Sequence, residues 1–91
     1  IQMEENIKLS LVIVDYLTNK IRLTTKEKLE LFYFISQITD GFCIGDLNAN
    51  FDIFIDHCKY KMKSSDNLLI RRILKQLEIK EKMNQLEKDF M

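Results

Sequence analysis

Residues 67–90, NLLIRRILKQLEIKEKMNQLEKDF, decide the fold. The stretch holds no Gly or Pro and only good or neutral helix formers, so it reads as one helix of roughly six turns. Its first half carries an apolar stripe of Ile70, Ile73, Leu74 and Leu77. Its second half carries another, Ile79, Met83, Leu86 and Phe90, spaced four, three and four. At about 100° per residue the second stripe sits roughly 160° around the axis from the first. A straight helix cannot lay both against one surface. The first stripe is therefore expected to pack on the rest of the protein. The second, with the spacing of a coiled-coil seam, is expected to meet another chain. The alternatives are a bend near Glu78 or a stripe folded back on its own bundle, but nothing between Leu77 and Met83 is a natural breaker.

Upstream of this stretch the helix period continues. Ser64-Ser65-Asp66 breaks the chain, and Ser65 or Asp66 is expected to cap the last helix. A third segment is expected to open at Gly45-Asp46, with Leu47, Phe51, Phe54, Ile55, Cys58 and Met62 at helical spacing. Asp52, Asp56, Lys59 and Lys63 line the side that should be wet. A second segment begins at a capping box, Thr24-Thr25-Lys26-Glu27, and runs to about Thr39. A first, from Glu4 to about Ile21, places Ile7, Leu11, Val14 and Ile21 on one side. Leu9, Ile13, Tyr16 and Leu17 widen that side.

The expected fold is all-α, a three- or four-helix bundle with an extended C-terminal helix. The alternative is an α+β fold with a hairpin around Asp40-Gly41. Phe32-Tyr33-Phe34-Ile35 suits strands as well as helices, and Asp-Gly between apolar residues is a hairpin signal. Residues 1–91 read as one domain, with 79–91 as a C-terminal amphipathic extension. Ile1 and Gln2 precede Met3, which reads as the natural start.

Composition narrows the function classes. Hydrophobic residues make up 46% of the chain, which suits a globular fold. The longest purely apolar run, Leu11-Val12-Ile13-Val14, is far too short for a membrane span, and no signal peptide is visible. A cytoplasmic protein with reduced Cys43 and Cys58 is expected. The net charge is zero, so no strong general affinity for nucleic acid is expected. Abundant Lys, Ile and Asn, with one Ala and no Pro, suggest an AT-rich genome.

Charge is nevertheless unevenly placed. Leu29 to Cys58 contains no Lys or Arg, whereas Glu30, Asp40, Asp46, Asp52 and Asp56 make it acidic. From Lys59 to Lys75 the sign reverses: Lys59, Lys61, Lys63, Arg71, Arg72 and Lys75 stand against Asp66 alone. Arg71, Arg72 and Lys75 share the side of the last helix that continues into Ile79, Met83 and Leu86. One face therefore reads basic first and apolar second.

The same residues carry no complete catalytic or metal signature. Asp46-Leu-Asn48-Ala-Asn50-Phe-Asp52-Ile resembles the front of a calcium loop, but Phe51 replaces the required Gly and His57 the required bidentate acid. His57 is the only histidine, and it points about 100° away from Cys58 on a helix, so the two form no nucleophile–base pair. Cys43, Cys58 and His57 fit no zinc spacing, and no glycine-rich phosphate loop is present. No enzyme activity, cofactor or metal is expected. The function read from the sequence is a non-enzymatic interaction protein, an inhibitor, adaptor or regulator. It is expected to bind a protein partner or pair with itself as a homodimer through Arg71, Arg72, Lys75, Ile79, Met83, Leu86 and Phe90. The alternative is a small DNA-binding regulator using the basic block 59–75, for which only Asn67 and Arg71 are placed to read base edges.

Overall fold

The computed structural model describes residues 2–40, 45 and 49–89, with side chains described from residue 4 and up to residue 88. The main elements are α1 (Gln2–Thr18), α2 (Thr25–Ile38), α3 (Phe51–Lys63) and α4 (Leu68–Asp89). The fold is all-α, and no strand occurs among the described residues. Phe32 to Ile38 belong to α2, so the hairpin alternative fails on its first arm. Residues 41–44, its turn and second arm, lie outside the described residues.

The helices pair as two antiparallel hairpins. α1 packs mainly on α2 and α3 on α4, and α2 touches both α3 and α4. For α1 and α2 the direction is shown by contacts between opposite ends, and for α3 and α4 by the short link 64–67 that returns the chain. Asn6, near the start of α1, meets Ser36 and Thr39 at the end of α2. Lys59, late in α3, meets Glu81, far along α4.

Two helix starts are built by side-chain caps. At α2 the capping box forms as its spacing predicts. The Glu27 N–H donates to Thr24 Oγ1 at 3.2 Å, and the Thr24 N–H donates to Glu27 Oε1 at 2.9 Å. At α4 the cap is Asn67, rather than Ser65 or Asp66. Its Oδ1 accepts from the N–H groups of Leu69 at 3.0 Å and Ile70 at 3.4 Å. Ser65 acts one step earlier, accepting from the Asn67 N–H at 3.0 Å. α3 runs from Phe51, and its N-cap Asn50 makes no side-chain capping bond. Gly45 and Ala49 upstream are also helical, and residues 46–48 of the expected start lie outside the described residues.

One core runs through the four helices. It comprises Leu9, Ile13, Val14 and Leu17 of α1, Leu31 and Ile35 of α2, Phe54, Ile55, Cys58 and Met62 of α3, and Ile70, Ile73, Leu74 and Leu77 of α4. The α3 and α4 stripes are those the period indicates. The α1 side is displaced. Ile7 and Leu11 are exposed, while Leu9, Ser10, Ile13 and Leu17 are fully buried. A helix that is apolar over most of its circumference does not select its own buried side by period. Here a polar seam selects it. Ser10 Oγ donates to the Asn6 carbonyl at 2.8 Å and lies 3.3 Å from Thr39 Oγ1. Thr39 Oγ1 in turn lies 2.9 Å from Asn6 Oδ1 and 2.8 Å from the Ile35 carbonyl. Asn6 Nδ2 donates to the Ser36 carbonyl at 3.2 Å. With these partners, no buried side-chain polar atom among the described residues is left unsatisfied.

The two halves of α4 should respond differently to truncation. Ile73→Ala should cost about 2–5 kcal/mol, because it leaves a cavity in the core. Ile79→Ala should stay within about 0.5 kcal/mol of the parent, as a surface change does. Urea unfolding of both variants at high dilution measures the contrast.

Candidate functional site

α4 is unbroken from Leu68 to Asp89, so the change of apolar side falls within a single continuous helix. Ile70, Ile73 and Leu77 are fully inaccessible. Beyond Leu77 the outward residues Ile79, Met83 and Leu86 are 50%, 56% and 56% exposed. Glu81 lies on the opposite side of that half. Its Oε1 takes the Lys59 Nζ at 2.6 Å, so the second half of α4 turns a polar side toward α3 and leaves its apolar side outward. Phe90, the last member of the stripe in the sequence, lies outside the described residues.

Arg71, Arg72 and Lys75 are all exposed, one to two turns before Ile79. They do not act alike. The Arg72 Nη2 is bonded to Glu27 Oε2, which ties the start of α2 to the seam side of α4. The same Glu27 closes the α2 capping box through its other oxygen. Arg71 and Lys75 instead converge with Lys63 of α3 on a shallow pocket floored by Leu74 and edged by Glu78. The basic block 59–75 is thus divided. Lys59 and Arg72 neutralise acids of the same chain, while Lys63, Arg71 and Lys75 form a cationic shoulder beside the apolar stripe. Neither ion pair is legible in the sequence, since 22 and 45 residues separate the partners. The Asn67 carboxamide oxygen is engaged in capping, which removes it as an acceptor for a base edge.

The chemical candidates elsewhere do not converge. Cys58 is fully buried in the core, and burial pushes its thiol up to about 12, so the thiolate is not formed near neutral pH. His57 is half-buried on the adjacent helical position. Among the described residues no three His, Cys, Asp or Glu side chains come together to hold a metal ion. The calcium-like run falls partly on residues 46–48, outside the described residues. No helix among the described residues is long and apolar enough to cross a membrane.

The Glu27 junction has a pH consequence. The Thr24 N–H, then the Thr24 side chain, then the Arg72 guanidinium favour the carboxylate, and together they hold Glu27 below its ordinary value of 4.5 despite some desolvation. The depressed folded-state value means that the stabilisation is complete above the unfolded value and is lost as pH falls through the folded one. The stability difference between the parent and Glu27→Gln should therefore be constant near neutrality and shrink from about pH 5 downward, as read by urea unfolding across that range. Compared with protein-family models, curated proteins and solved structures, the chain shows no match.

Proposed function

We propose that this chain is a non-enzymatic interaction protein that binds another polypeptide through the outward face of α4. The observation that carries the reading is the set Ile79, Met83 and Leu86, half-exposed on a continuous helix whose other side supplies the core. Exposed apolar residues scattered singly need no explanation. These three are consecutive members of a four-three pattern on one side of a helix, which is the arrangement helix-in-groove and helix–helix recognition use. The shoulder of Lys63, Arg71 and Lys75 adds a charged end to that face, suited to an acidic segment on the partner. Phe90 extends the pattern in the sequence.

Leu86→Asp tests the reading. Far-UV helicity and the melting temperature at high dilution should stay close to the parent values. Association measured by light scattering should weaken at least about thirtyfold, the penalty of losing a central anchor. Loss of helicity across the whole chain would place the stripe in the core and remove the proposal.

A second reading, a small DNA-binding regulator, draws on the convergence of Lys63, Arg71 and Lys75 at one place. Phosphate contacts by such a cluster release counterions, so duplex binding should fall by roughly tenfold or more between about 50 mM and about 200 mM salt. A duplex that is not shifted even at low salt excludes this reading.

A further inference from the structure

We infer that the polypeptide which covers the outward face of α4 is a second copy of this chain, laid antiparallel along residues 79–89. The inference rests on the proposed use of that face and goes on to name its occupant and direction. In the four-three register the seam positions are Ile79, Met83 and Leu86, and one heptad earlier the same positions hold Arg72 and Gln76. The seam is therefore apolar only from Ile79 onward. Its upstream end is also bounded by the protein itself, because Glu27 of α2 reaches Arg72 on that side. A partner helix can lie along the second half of α4 but not continue along the first.

The charges beside the seam decide the direction. Lys75 and Lys82 flank it on one side, Lys80 and Glu87 on the other. All four are exposed and make no ion pair within the described residues. In an antiparallel pair, flanking positions on the same side of each helix face one another. With Met83 layered on Leu86 of the second copy, Lys80 then meets Glu87 of the second copy, and by the two-fold symmetry this occurs twice. In a parallel pair, opposite flanks meet. That arrangement sets Lys82 with Glu87 twice but also Lys75 against Lys80 twice, so its gain is offset. It also places the two cationic shoulders and both α2 junctions at the same end. The antiparallel arrangement separates them, leaving one bundle at each end of a short two-helix bridge. Either arrangement turns both Glu81–Lys59 pairs away from the contact.

Charge reversal separates the two directions without touching the core. Sedimentation equilibrium on the full chain, from micromolar to millimolar and at low salt, gives the dimer dissociation constant for each variant. Lys80→Glu should weaken the dimer by roughly tenfold, since it sets Glu against Glu twice. Lys80→Glu combined with Glu87→Lys should return it to within about twofold of the parent. Tightening by Lys80→Glu alone would show a parallel pair and overturn the inference. So would an unchanged dissociation constant. A parent chain that stays monomeric to millimolar overturns the second copy as occupant but leaves the α4 face open to a different protein. A dimer insensitive to Leu86→Asp overturns the face itself.

Discussion

A straight helix offers one direction to its neighbours at each point of its circumference. α4 uses the direction facing the bundle within its first three turns, where Ile70, Ile73, Leu74 and Leu77 close the core against the other helices. The same direction in the second half carries Glu81, which anchors to Lys59. The apolar stripe of that half must consequently point out. Core closure at one end and an uncovered seam at the other are thus one geometric fact, set by 3.6 residues per turn.

The rest of the molecule serves to hold α4 in that attitude. Asn67 fixes where the helix starts, Arg72 joins it to the α2 capping box, and Lys59 clamps it to α3. Arg72 lies on the seam side at the start of the helix, while Glu81 anchors the opposite side of the second half and leaves Ile79, Met83 and Leu86 outward. The molecule is accordingly elongated, 48 Å by 29 Å by 23 Å, with α4 contributing about 33 Å at 1.5 Å per residue. The proposed interaction face lies on the outer side of this longest element.

Much of this was legible in the sequence where a local rule applied. The continuity of the last helix follows from the absence of breakers, its two stripes from arithmetic on spacing, and the α2 start from Thr24 and Glu27. The reading failed where a local rule was silent. For α1, apolar residues on nearly every side made Ile7 and Leu11 as plausible as Leu9 and Ser10, and only the meeting with Thr39 decides between them. At the α4 start the expected caps were Ser65 or Asp66, whereas the backbone path places Asn67 in that role. For the candidate site, exposure of Ile79, Met83 and Leu86 is the outcome the stripe arithmetic anticipates. The different fates of Arg71 and Arg72 were invisible, because Glu27, which takes Arg72, lies 45 residues away in the sequence.

The Asn6–Ser10–Thr39 seam has a further effect on how α1 can sit. Two greasy helices can slide past one another by a turn, about 5.4 Å, and still bury most of their surface. A slide here would break the Asn6 bonds to Ser36 and Thr39 and the Ser10–Thr39 contact, each worth about 0.5–1.5 kcal/mol, although both hydroxyls keep a carbonyl of their own helix. The seam therefore acts as a detent. It fixes α1 at one axial position although Ile7, Leu11 and Val12 would suit several, and through α2 it sets the platform on which the second hairpin rests.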